Sequence, residues 1–376
     1  MKGSPDMVKQ ERIVKNLMRY VSIDSETGSE GKFAKVLINA LNELGLEVYV
    51  DDAGEKVGSD TGNVIARLKG DKSAPGILFC CHMDTVRPGK GIKPVVRDDT
   101  IYSDGSTILG SDDKAGIAVA MEALAIVKEE KIPHGDIEIV FDIAEEGGLN
   151  GTKNLDYSKI NSKIAFILDG SGPPGGIVIQ GPAHDRIYVK IIGKAAHAGA
   201  RPEQGISAIQ VAATAISRMK LLRVDEETTA NIGIIKGGTA TNIVCPEVEI
   251  NAEARSQSIE KLESQVSHML NLFKDTANTF GARVSSEVKR EYNCFKVEKT
   301  DNIVKTVLKA CDNIGLKGYT KISGGGTDAH ILAEKGIKTV NLTRGGDKSH
   351  SVEEHIKIKD LVESARLVLE IIKIIE

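Results

Sequence analysis

Apolar residues recur at intervals of three and four over residues 8–21 and again over 31–44, a spacing that predicts two amphipathic helices. Short apolar segments at 47–50 and 63–69 predict strands. After Pro75 the pattern changes. Gly76-Ile-Leu-Phe-Cys-Cys-His82 is an unbroken apolar run, as expected of a strand covered on both faces, with His82 and Asp84 at its C-terminal edge. A helix over 113–129 leads to a strand over 137–143 that ends on Glu145-Glu146-Gly147-Gly148, and the strand over 163–168 ends on Asp169-Gly170. Apolar strands that end in carboxylate or imidazole and alternate with helices predict an α/β sheet whose chemistry lies beyond the strands' carboxyl ends.

The alternation breaks after the loop Gly170-Ser-Gly-Pro-Pro-Gly-Gly176 and after Gly181-Pro182. From about residue 186 to 291 the periodicity predicts a strand, a helix (205–222), strands (231–236 and 247–254), a helix (259–280) and a strand (282–289). This βαββαβ order is that of a ferredoxin-like α+β unit. Past Lys296 the first pattern resumes, with a helix over 302–314, a glycine-rich loop over 323–327, a strand over 339–342 and a last helix over 356–375. A catalytic α/β domain of residues 1–183 and 295–376 is therefore expected, interrupted by an inserted lid at 184–294.

At 376 residues the chain is long enough for two domains, each with its own core. A formal net charge of −4 with Lys and Arg scattered throughout provides no basic tract, which argues against nucleic acid and anionic lipid as principal partners. No apolar run approaches the roughly 20 residues that span a bilayer. The N-terminal stretch also lacks the uninterrupted apolar core of a signal peptide. The five cysteines form no CxxC pair and are odd in number, as suits a reducing compartment, so a cytoplasmic protein is expected, with Cys80 and Cys81 as core residues.

The candidate chemistry centres on Leu109-Gly-Ser-Asp112-Asp113-Lys-Ala-Gly116, where two adjacent carboxylates stand at the mouth of an apolar helix. Alone, such a pair reads as a helix cap with a solvated neighbour. His82, Glu146, Asp169 and His350 alter that reading, because together with Asp112 they supply the anionic oxygen and imidazole nitrogen that a pair of divalent metals needs. One carboxylate bridging both ions holds them roughly 3.5–4 Å apart with a water between them, and Asp112 is the candidate bridge. Asp84, two residues past His82, is placed to accept the imidazole's other N–H. Of Glu145 and Glu146, one is needed to neutralise a metal while the other stays free to take a proton from water. Zinc, cobalt and manganese all suit these donors. No GxSxG elbow, HExxH, P-loop or GxGxxG offers a competing scheme.

The strings CHMDTV, GSDDKAG, AEEGG and LDG resemble, in order and spacing, the co-catalytic di-zinc peptidases: peptidase T, carboxypeptidase G, aminoacylase and the succinyl-diaminopimelate desuccinylases. The likeness spans nearly the whole chain, and DDKAG, Ala196-His197-Ala198-Gly199 and GGTDAH bring it nearest to the peptidase T branch. It implies a mixed sheet flanked by helices and two zinc ions, one held by His82 and Asp169, the other by Glu146 and His350, with Asp112 bridging. It further implies Glu145 as base, Asp84 orienting His82, His197 reaching a partner's metals in a homodimer paired through the lids, and Asn242 and Arg255 holding a substrate carboxylate. Peptidase T sequences tend to carry Arg immediately before GGTD where this chain has Gly324, which bears on strict tripeptide specificity.

The expected activity is hydrolysis of the peptide bond in short peptides with release of the N-terminal residue, as an aminopeptidase or tripeptidase. An N-acyl-amino-acid amidohydrolase would use the same metals and base on a blocked amine. A non-catalytic metal-binding protein on the same scaffold is a more distant alternative, against which the presence of Glu145 beside five ligand-type residues argues.

Overall fold

The computed structural model describes residues 7–375; residues 1–6 and Glu376, assigned from sequence to the catalytic domain, lie outside that range. The chain divides into two compact units, one of residues up to Gln180 with 296–323 and 327–375, the other of 181–295 with 324–326. The chain passes between the units at Gln180–Gly181 and Phe295–Lys296. The assignment of Gly324–Gly326 differs, and the reason is steric: a Cβ on Gly326 would lie 2.4 Å from the Tyr292 hydroxyl, so this turn is pressed against the second unit's last long strand.

In the first unit a nine-stranded sheet runs, over six of its strands, Glu47–Val50, Val64–Leu68, Ile137–Asp142, Ile77–His82, Ile164–Gly170, Lys338–Thr343. The last four of these are mutually parallel, while the two outer strands are antiparallel, which makes the sheet mixed. His82 is in register with Asp142, and Ile77 with Ile164, so the parallel strands finish side by side and carry His82, Glu145 and Asp169 to one edge. Ile77, Phe79 and Cys81 face the helix side of the sheet, where Phe79 stacks on Phe166 at 5.7 Å. The helix Ser111–Glu129 is buried on nearly every side between the sheet and the helices Gln10–Val21 and Ile358–Ile374. This accounts for its apolar sequence without a polar face.

Four short strands escape periodicity. Val95–Arg97, Thr100–Tyr102, His355–Lys357 and Gly346–Asp347 form a separate antiparallel sheet, each too short to show an alternation. The last helix accordingly begins at Ile358 rather than 356, since Ile356 pairs with Ile101 and Gly346.

The second unit is a five-stranded antiparallel sheet in the order Leu222–Arg223, Thr228–Gly237, Glu247–Ser256, Ala183–Ile192, Arg283–Tyr292, packed against the helices Ala208–Ile216 and Ile259–Phe280. Its long strands follow the ferredoxin-like order. The first helix is shorter than the expected 205–222 because Ser207 caps its start, accepting from the Gln210 N–H at 3.2 Å, and Leu222, at φ +63°, turns the chain into an edge strand. Among the described residues, no helix is long and apolar enough to cross a membrane.

Candidate active site

His82 closes its strand with Nδ1 2.9 Å from the Asp84 main-chain carbonyl and 3.4 Å from Asp84 Oδ1. A carbonyl only accepts, so Nδ1 carries a proton, and Nε2, turned to the carboxylates, is the atom that would bind a cation in place of its own proton. Nε2 lies 3.3 Å from Asp112 Oδ1 and 3.7 Å from Asp169 Oδ1. The nearer acceptor to His82 is thus Asp84's backbone. Its buried carboxylate accepts from the Thr27 hydroxyl (2.7 Å) and from the backbone N–H groups of Glu145 (2.9 Å) and Glu146 (3.2 Å). Asp84 thereby ties two strand ends together.

The Glu145-Glu146 turn is sharp. Ala144 stands at φ +50°, a conformation unfavourable for a residue with a Cβ, and its N–H donates to Glu30 Oε1 at 3.1 Å. Glu145 is almost fully buried.

The two adjacent aspartates separate by conformation. Asp113 is the helix cap, its Oδ1 accepting from the Gly116 N–H at 3.2 Å, while Asp112 has non-helical backbone angles and turns its carboxylate toward the strand ends. The capping role and the ligand-type role that sequence placed in competition fall on neighbouring residues. Glu354, buried, accepts from Gly110 N–H (2.7 Å), Ser111 Oγ (2.7 Å) and Asp112 N–H (2.9 Å), and so fixes this loop. His350 stands at φ +66° between the two short strands Gly346–Asp347 and His355–Lys357, with Nε2 2.7 Å from Glu146 Oε1 and 3.6 Å from Asp112 Oδ2.

Two of the resulting donor sets share Asp112. His82, Asp112 and Asp169 offer ligand atoms within 4.8 Å of one another, and so do Asp112, Glu146 and His350. Asp112 belongs to both, with a different oxygen toward each imidazole. Mixed carboxylate and imidazole donors of this kind fit a pair of divalent ions.

The electrostatics of the cluster point the same way. Burial, followed by the neighbouring Asp112 charge, pushes the Asp169 carboxyl up to about 7. Burial foremost, with the nearby Asp328, Asp169 and Glu146 charges, raises Glu145 well above the carboxylate range, offset in part by His82. His82 is held well above its usual value because Asp112, Asp169 and Asp84 outweigh the effect of burial. The Glu146 contact lifts His350 to about 9. Carboxylates forced together in a buried edge call for positive charge.

Sequence reasoning missed three further residues here. Arg344, buried, hydrogen-bonds Asp113 Oδ1 through Nε at 3.0 Å and places Nη2 2.5 Å from Asp112 Oδ1. Glu354 follows His350 by four positions, and nothing in the local sequence sets it apart from Glu353. Lys114 is buried with its amine 2.6 Å from the Ile23 carbonyl and 4.8 Å over the Phe33 ring, and burial brings it down to about 7.

In the second unit the structure brings His197 and Asn242 onto adjoining loops: Ala198 N–H donates to the Asn242 carbonyl at 2.9 Å, and His197 pairs with Ile243. His197 Nδ1 accepts from the N–H groups of Gly199 (3.2 Å) and Ala200 (3.1 Å), which puts the ring proton on an exposed Nε2. Arg255 is engaged otherwise. Its guanidinium forks onto Glu253 on the same strand, at 3.1 and 3.0 Å, and Glu253 also lies 3.1 Å from His184. A substrate carboxylate would therefore have to compete with Glu253 for it.

Residues 78–374 match the peptidase family M20/M25/M40, and the chain belongs to that family. It is a metallopeptidase. YqjE of Bacillus subtilis is 46% identical over 367 residues, covering 98% of this chain and 99% of that protein. A crystal structure described as aminopeptidase PepT from Bacillus cereus superposes with a TM-score of 0.91 at 46% identity, over 98% of this chain and 99% of that one. A tripeptidase structure from Staphylococcus aureus gives a TM-score of 0.95 at 43% identity with the same coverage.

Proposed function

We propose that the protein is a cytoplasmic exopeptidase of the peptidase T type that uses two divalent ions, zinc foremost, to release the N-terminal residue of short peptides. The observation that carries this reading is the shared carboxylate: Asp112 offers one oxygen to the His82–Asp169 set and the other to the Glu146–His350 set. Similarity to structures described as an aminopeptidase and a tripeptidase supports the substrate class. Bound ions of this kind supply Lewis acidity toward a carbonyl and acidify water at neutral pH. Glu145 then takes the proton of the attacking water and returns it to the leaving amine. Its burial and raised pKa suit both transfers. Asp84 holds the Glu145 and Glu146 backbones in place for this. His197, with Nε2–H turned outward, donates to the oxygen that gains charge, and Asn242, with Arg255 where the substrate displaces Glu253, receives the peptide's carboxylate.

A panel of free di- and tripeptides set against N-acetyl and N-succinyl amino acids tests the substrate class. Turnover is expected on peptides with a free amino terminus. Activity confined to the acylated amino acids would replace this reading with an N-acyl-amino-acid amidohydrolase, and no turnover on any amide with ions bound would favour a non-catalytic binder.

The reading includes a homodimer formed through the second unit, whose outer strand Thr228–Gly237 exposes Ile234 and Ile235 and is paired by Leu222–Arg223 only at one end. In such a dimer His197 serves the partner's site. His197→Ala should lower kcat by roughly 10²–10³ with KM and metal content little changed, since an oxyanion donor acts on the transition state. Mixing His197→Ala with Glu145→Gln should restore part of the activity after subunit exchange, and no recovery despite demonstrated exchange would place His197 within its own subunit's site or outside catalysis.

A further inference from the structure

The strand Lys338–Thr343 delivers an arginine to the carboxylate cluster, whereas the neighbouring parallel strands deliver acids and a histidine. Arg344 is 1% exposed, and its backbone N–H is tied to the Gly170 carbonyl at 2.8 Å, beside Asp169. The chain makes room for its head group: a Cβ on Gly346 would come within 2.5 Å of Nη1. Nε is spent on Asp113, and this fixes the direction of the rest of the guanidinium. Nη2 then lies 2.5 Å from Asp112 Oδ1 and 3.7 Å from Asp169 Oδ1. Those are the two oxygens that His82 Nε2 also faces. Asp112 Oδ2, on the other side, faces His350.

The cation is therefore placed unevenly. It presses on the donors of one set and leaves Glu146 and His350 to themselves. An arginine keeps its charge at any working pH, so the asymmetry is permanent. Resting on the two-metal reading above, we infer that Arg344 is a built-in cation that makes the two ion positions unequal: the His82–Asp112–Asp169 position binds its ion more weakly, and fills second, after the Asp112–Glu146–His350 position. A divalent ion beside a fixed unit charge loses about tenfold in affinity even when water screens the pair, and more as the site dries. The first position filled would then hold its ion persistently, and the second would exchange.

Stepwise zinc affinities of the metal-stripped protein, measured in competition with a chromophoric chelator and with stoichiometry from elemental analysis, test this. Two ions per chain are expected, with dissociation constants at least about tenfold apart. His82→Ala should keep the tighter step and lose the weaker; His350→Ala should lose the tighter. Arg344→Gln should tighten the weaker step by about tenfold or more and so close the gap, while Arg344→Lys should preserve it. If Arg344→Gln does not fold, as judged by thermal melting, the two histidine variants still decide the order of filling. Two ions bound in the reverse order, or both steps weakened together in a folded Arg344→Gln, would refute the role of Arg344 and leave the two-metal reading standing. Fewer than two ions bound by the unaltered protein would overturn both.

Discussion

Replacing Glu145 with glutamine is expected to lower kcat on a good tripeptide by 10³-fold or more while both ions remain bound. General-base catalysis is typically worth 10²–10⁴. Nothing else within the described cluster stands ready to substitute, because Glu146 is engaged with His350 at 2.7 Å and Asp84 is consumed by three hydrogen bonds. The amide preserves the shape of the side chain, and the turn is held through the Glu145 backbone N–H, which the substitution does not touch. Metal content should accordingly stay at the unaltered level. Glu145→Asp is the complementary variant: it keeps a proton acceptor but withdraws it by one methylene, and a misplacement of that size is expected to cost about 10²-fold. Activity within a few-fold of the unaltered enzyme in Glu145→Gln would remove Glu145 from the role of base.

The frame that positions these residues was legible where burial imposes a simple period. The run ending at His82 is a strand covered on both faces, and the amphipathic spacing of 259–280 returned the helix Ile259–Phe280 to the residue. What escaped was set by contacts distant in sequence. Val95–Arg97 and His355–Lys357 are strands because each finds a partner across the small sheet, and three residues carry no period. Asp112 and Asp113 could not be told apart from composition, since the difference lies in the backbone angles that make one a cap and free the other. Glu354 looked like one more acid in Ser351-Val-Glu-Glu354, and only its three bonds to the Gly110–Asp112 loop reveal its part. A signal for Arg344 did exist. It is a lone cation at the end of an apolar strand among parallel strands that otherwise end in acids or histidine, an exception that charge bookkeeping over those strands would have singled out. Arg255 shows the converse limit: the residue type was right for a carboxylate, and the chain supplies its own in Glu253.

Asp112→Ala is expected to empty both ion positions, because it alone removes a donor from each set. His82 and Asp169 would remain on one side and Glu146 and His350 on the other, pairs too small to retain an ion against dialysis. Asp169→Ala makes the contrast, since it strips only the first set and should leave one ion per chain. The comparison is clean if Asp112→Ala folds as before, and the loop geometry favours that. Glu354 holds the Asp112 main-chain N–H, the Ser111 hydroxyl and the Gly110 N–H, and the Asp113 cap of the following helix is untouched. Arg344 loses one partner but keeps Asp113 through Nε at 3.0 Å, so its charge is not left alone in the interior. Elemental analysis after dialysis against a metal-free buffer, with circular dichroism to check the fold, should therefore give close to no ion for Asp112→Ala, one for Asp169→Ala and two for the unaltered chain. Two ions retained in a folded Asp112→Ala protein would move the bridge to another carboxylate, and Glu145 would be the next to test, since it shares a third set of close donors with His82 and Glu146.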